Sequence, residues 1–258
     1  MTTWNLPWAY QRRPSKPSPL DNPAFRRWFG NSMIRNADGT PRVVYHATPA
    51  RGSFKPGRGP VRAYEMQSDT SAFLPAFTVF RTGWKDIGIH FGTREQANTI
   101  TGGRIGSIVY PAYIRLENPL RMTDEGKWPP DAMVVRLAKN PERIPERRWT
   151  QSMEDLMRIH LSRDPKEVRL LDDEEVSQIL TAGERETMGS SDGNAVMREM
   201  IVGALNRRGY DGIVYLNEYE DPKNPQDSYI VFDPRQIKAV YGNRGTYDPN
   251  DPDILNGF

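Results

Sequence analysis

Residues 43–48 read Val-Val-Tyr-His-Ala-Thr, followed by Pro49. Two valines and a tyrosine favour extended backbone, and Asp38-Gly39 just upstream supplies a turn. The pattern predicts a strand from about Arg42 to His46, with the histidine delivered where the chain is about to turn. The chain has only three histidines. A lone histidine at a strand end is more often a hydrogen-bonded structural residue than a functional one. What lies around His46 in the fold decides between the two readings.

Working outward, "NPAFRRWFGNS" (22–32) predicts a short helix with Phe25, Trp28 and Phe29 on one face, ended by Gly30. Residues 50–76 are rich in glycine and proline and show no period. Two β-like pieces follow at 77–81 and 87–92. "TREQANTIT" then predicts a short helix with Thr93 as its N-cap and Glu95 in the first turn. A long strand over about 106–116 contains Pro111, which predicts an edge strand or a bulge. Helices are expected at 130–139, 152–162, 172–182 and 193–208, with Gly209 as the residue that ends the last of them. Strands are expected at 211–217, 227–233 and 237–241, and the tail from 244 reads as coil. Short strands separated by loops and a few helices define an α+β domain. Its expected limits are 22–258, behind a basic, proline-rich arm at 1–21, with a charged helical insertion at about 121–192.

Composition removes several kinds of chemistry. There is no cysteine, so disulfides, thiolate nucleophiles and cysteine-bound zinc are excluded. Three histidines make a histidine-rich metal centre a poor expectation, and no carboxylate loop has calcium-binding spacing: "DPNDPD" (248–253) lacks the closing glutamate. No metal is expected. No apolar run reaches the length of a membrane span, and the first 20 residues lack the apolar centre of a signal peptide. The expectation is a soluble, cytoplasmic protein without a membrane partner. Net charge is only +2, yet residues 1–62 hold eleven Lys/Arg against two acids, a surplus of nine that leaves about −7 for the remainder. Such a basic third can face nucleic acid, an acidic protein or a phosphorylated ligand, or be a solvated arm.

Three segments set a polar residue in or beside a β-run, next to small residues: "VYHAT" (44–48), "GIHFGT" (88–93) and "DSYIVFDPRQI" (227–237). Together with "NPAFRRWFGNSMIRNADGTPRVVYHAT" at the front and "YDGIVYLNE" at the back, they resemble the ADP-ribosyltransferase superfamily. The likeness is to its diphtheria-toxin-like and poly(ADP-ribose)-polymerase-like branch, and to the phage-associated domains of that kind in polyvalent proteins. It covers roughly 22–120 and 193–255 and leaves 121–192 outside.

The resemblance implies a split β-sandwich of two small sheets with NAD⁺ held in the cleft between them. It implies that His46 bonds the adenosine ribose and that the backbone at Ala47 holds the nicotinamide amide, with Tyr45 and Thr48 beside them. Ala47 stands where the family has glycine. His90 replaces the usual tyrosine of the second motif, flanked by Gly88 and Phe91. Gln96 and Thr99 fall on the helix that contacts nicotinamide. Ser228 stands where the family has its catalytic glutamate, in patterns such as Glu-Tyr-Ile-Val-Phe. A serine can hold a ribose hydroxyl but cannot counter positive charge. Asp227 is adjacent, but strand alternation turns it to the other face. Glu218, Glu220 and Asp221 lie in the loop before it.

The expected catalytic set is therefore His46, His90 and Ser228. The expected activity is mono-ADP-ribosyl transfer from NAD⁺ to a protein or nucleic-acid acceptor. Two alternatives stay open: a binding module that holds NAD⁺ or ADP-ribose without turnover, and a metal-independent ribonuclease using the two histidines. Arg51, Arg58 and Arg81 are candidates for the pyrophosphate. "TGGRIG" (101–106) is discounted as a phosphate loop because no helix follows it, and His160 is read as a surface residue.

Overall fold

The computed structural model describes residues 18–48, 86–102, 107–124, 126, 128–162, 169–186, 191–241, 245–252 and 254. The expected strand at 77–81 and the three candidate arginines Arg51, Arg58 and Arg81 lie outside the described residues, as does most of the expected arm.

Among the described residues seven strands form two sheets. β1 (Val44–Thr48), β3 (Ile108–Ile114) and β7 (Ile237–Ala239) make one, in the order β1-β3-β7 and antiparallel throughout. β2 (Ile89–Phe91), β6 (Gln226–Val231), β5 (Gly212–Asn217) and β4 (Leu120–Met122) make the other, in the order β2-β6-β5-β4. Only the β4–β5 pair is parallel. The α+β class and the two small sheets agree with the expectation.

Six helices among the described residues surround them. α1 (Pro23–Phe29) starts at Asn22, whose side chain accepts from the Ala24 and Phe25 amides. It lays Phe25, Trp28 and Phe29 against Tyr113 on the outer face of the three-stranded sheet. α2 (Arg94–Thr101) follows β2. α3 (Pro130–Leu137), α4 (Gln151–Ser162), α5 (Asp173–Arg185) and α6 (Ser191–Arg207) cover the other sheet. α6 ends as its sequence predicts: Gly209, at φ +87°, carries the chain out of the helix toward β5.

Strand alternation separates two cores. Along β6, Tyr229 and Val231 face the space between the sheets, with Ile89, Phe91, Val44, Ala112 and Ile114. Ile230 and Phe232 face the helices, with Ile213, Tyr215, Met133 and Leu205. A strand buried on both sides explains the nearly unbroken apolar run "YIVF".

β3 is the middle strand of its sheet, so of the two expectations from Pro111, an edge strand or a bulge, the edge is not what forms. β7 ends at Ala239, paired with Ala112. Pro111 therefore lies one step past the ladder, where its carbonyl still accepts from the Val240 amide at 3.2 Å. The donor that proline lacks falls where the third strand has already stopped. Among the described residues no helix is long and apolar enough to cross a membrane.

Candidate active site

Beside the core they share, the two sheets are linked by backbone pairing. Tyr45 of β1 exchanges both backbone hydrogen bonds with Gly92, just past β2, at 2.9 and 3.0 Å. A third bond crosses the same seam: His46 donates from Nδ1 to the His90 carbonyl at 2.8 Å. A carbonyl only accepts, so this fixes the proton of His46 on Nδ1. His46 is not at the strand's end, as expected, but in the middle of β1, which runs on to Thr48 along β3, and from there it pins one sheet to the other. Burial lowers its pKa to about 4, only partly opposed by the carbonyl it bonds, so the ring is neutral near pH 7.

A cleft of about 780 Å³ opens at this seam, within the usual ~300–1,000 Å³ of small-molecule and cofactor sites. His46, Ala47 and Tyr45 line it from β1, and Gly88, His90 and Phe91 from β2. Alternation puts His90, Tyr215, Asn217 and Ser228 on one face of the four-stranded sheet, and all four line the cleft.

The floor is a hydrogen-bond chain whose directions can be worked out. Gln96 Oε1 accepts from the Thr93 amide at 2.7 Å, and its Nε2 donates to the Gln226 carbonyl at 3.1 Å. The first bond closes the capping box that starts α2. Ser228 must therefore donate its only hydroxyl proton to Gln96 Oε1, 3.1 Å away. On its other side Asn217 Nδ2 donates to Ser228 Oγ at 3.0 Å, while Asn217 Oδ1 accepts from the Tyr219 and Glu220 amides at 3.2 and 3.1 Å. Gly92 makes this possible. A Cβ there would sit 2.3 Å from Gln96 Oε1 and 3.0 Å from Ser228 Oγ.

His90 is edge-on to Trp128 and Tyr215, with ring centres 6.0 and 6.3 Å away. Its Nδ1 lies 3.3 Å from the Tyr215 hydroxyl. Its Nε2 is buried and has no hydrogen-bond partner among the described residues. A buried polar atom without a partner is costly in an empty site and is what a ligand group would satisfy. Burial lowers the His90 pKa, opposed by the charges of Asp86 and Glu220. Trp128 and Tyr215 are packed at 4.5 Å, and the fully buried Arg136 backs Trp128 at 4.2 Å while donating to the Thr123 carbonyl.

Among the described residues three carboxylates line the cleft: Asp86, Asp124 and Glu220. No Lys or Arg is among the described lining residues. Asp124 accepts from the Gly126 amide at 3.0 Å and from the Glu218 backbone, and burial raises its pKa. Asp227 points away from the cleft and pairs with Arg121 at 2.7 Å, as alternation requires.

Of the residues singled out in the sequence, the structure brings Tyr45, His46, Ala47, Gly88, His90, Phe91, Gln96 and Ser228 to one cleft. Thr99 is not brought there. It sits on the exposed side of α2, bonded to the Glu95 carbonyl at 3.1 Å, and Ile100 reaches the cleft instead. Thr48 ends β1 opposite Ile108. Trp128, Tyr215, Asn217, Tyr219, Asp86 and Asp124 were not anticipated. A signal for two of them stood in "GIVYLN" (212–217): two positions on from Ile213 and again from Tyr215, a polar Asn217 falls on the buried face. Among the described residues no group of three or more His, Asp or Glu could hold a metal ion.

Among the described residues, two small sheets linked at the Tyr45–Gly92 bridge and by the His46–His90 bond, with a polar and aromatic cleft at the seam, define a split-sheet α+β domain. Residues 68–247, well over half of the 258, match the family described as ADP-ribosyltransferase in polyvalent proteins, and the chain belongs to that family. No curated protein and no solved structure matches the chain.

Proposed function

We propose that this protein transfers a single ADP-ribose unit from NAD⁺ to a macromolecular acceptor in the cytoplasm and releases nicotinamide. The observation that carries this reading is the convergence of His46, His90 and Ser228, from three separate segments, on one cleft at the seam of the sheets. Family membership supplies the reaction class.

In the reaction the bond between the nicotinamide nitrogen and ribose C1′ breaks, and its electron pair neutralises the ring nitrogen. A nucleophile of the acceptor forms the new bond to C1′ and loses its proton to solvent. Positive charge develops on the sugar as the ring departs, so a nearby negative charge that is already in place lowers the barrier. Three cleft carboxylates and two neutral histidines suit that need. The Tyr45, His46 and Ala47 edge and the unpartnered His90 Nε2 offer polar contacts, and Trp128 and Tyr219 offer ring faces. No metal is required for this chemistry.

One observation favours a second reading, a module that binds NAD⁺ without turnover. Ser228 has no charge and its proton is committed to Gln96. Calorimetry with NAD⁺ and a nicotinamide-release assay on the same preparation separate the two. Binding with release, lost in His46→Ala, supports the transferase. Binding with no release in the presence of protein and nucleic-acid acceptors supports the module. No binding contradicts both.

A further inference from the structure

We infer that Glu220 supplies the negative charge that the family places at the position of Ser228, and that Ser228 and Asn217 are positioning residues for it. This inference rests on the transferase reading above.

Ser228 is 2 % exposed and held on both sides: it gives its proton to Gln96 and accepts from Asn217. It is built into the floor of the site and has no charge to offer. The connection from Asn217 to Glu220 is tied to that floor. The same carboxamide that donates to Ser228 accepts the backbone amides of Tyr219 and Glu220. One buried side chain, 3 % exposed, thus couples the motif serine to the backbone that carries Glu220.

The other two carboxylates are less suited. Asp124 is occupied by the Gly126 amide and the Glu218 backbone, which makes it part of the turn. Asp86 also lines the cleft and its charge reaches His90, but it is exposed, so water and salt screen it more than the half-buried Glu220. Glu220 is half-buried, forms no ion pair or side-chain hydrogen bond among the described residues, and lines the cleft. Its charge acts on His90, Tyr215 and Asp124, while that of Asp86 reaches His90 and Tyr215. A carboxylate with no cation paired to it among the described residues is available to positive charge that appears only during reaction.

The test is nicotinamide release by the full chain at saturating NAD⁺, with NAD⁺ affinity measured in parallel by calorimetry. Glu220→Gln is isosteric and removes only the charge; Glu218→Gln removes a charge from the same loop but outside the cleft. The expected result is a loss of about 100-fold or more in kcat for Glu220→Gln, the size seen when one transition-state stabiliser is removed. NAD⁺ affinity stays within about threefold, Glu220→Asp keeps part of the rate, and Glu218→Gln stays near wild type. If wild type releases nicotinamide and Glu220→Gln keeps at least a third of the rate, this assignment is overturned while the transferase reading stands. If wild type releases none, both fall.

Discussion

The seam histidine makes the fold itself sensitive to acid. His46 has a pKa near 4 in the folded protein against 6.5 for a free side chain, because burial disfavours the charged ring. The unfolded chain therefore binds more protons than the folded one between these values, and stability falls as pH falls through that window. The contribution is fully present above pH 6.5 and is lost progressively down to about pH 4. The full gap corresponds to about 3 kcal/mol, and the part lost between pH 7 and pH 5 to about 2 kcal/mol. His90, also shifted down by burial, adds in the same direction. The assay is urea unfolding of wild type and His46→Asn at pH 7 and pH 5. Asparagine can still donate near the Nδ1 position but does not titrate. Wild type should lose about 2 kcal/mol more than the variant on acidification. Equal losses in the two proteins would mean that His46 is not buried neutral at the seam, and the reasoning would be refuted.

Gly92→Ala should destabilise the fold by about 2–4 kcal/mol, since the new Cβ displaces Gln96 Oε1 and strands the Thr93 amide and Ser228 hydroxyl; urea midpoints measure this. Thr99→Ala, on the exposed side of α2, should leave nicotinamide release unchanged and stability within about 0.5 kcal/mol. Arg136→Met should cost about 1–3 kcal/mol by removing the buried guanidinium's bond to the Thr123 carbonyl, and should weaken NAD⁺ binding by loosening Trp128, read by calorimetry. Asn217→Ala should lower kcat with little change in KM, because the Tyr219 and Glu220 amides lose their acceptor while the cleft walls remain.

Much of this arrangement was legible in the residues. The β-run before His46, the capping pattern of Thr93 and Gln96, and the Gly209 stop behind α6 are local signals, and each of these elements forms within a few residues of its expected position. The three motif segments also meet, since the two strands and the bridge that join them are short and well marked. What failed was whatever depended on a distant partner. Pro111 read as an edge or a bulge because a sequence does not show that β7 stops one residue short of it. Thr99 and Ile100 differ by one step around a helix, and the face that α2 turns to the cleft is set by Gln96 reaching Ser228, 132 positions away. Trp128 comes from a proline-flanked connection with no period, so nothing local marks it as a wall of the cleft.

The most direct test of the transferase account follows adenylate-labelled NAD⁺ into macromolecules. The protein is incubated with it and with separate protein and nucleic-acid acceptors, and label is counted in each fraction beside the nicotinamide released. The account predicts label bound in one fraction, in step with nicotinamide, and lost in His46→Ala. Label that stays on intact NAD⁺ in every fraction would contradict it.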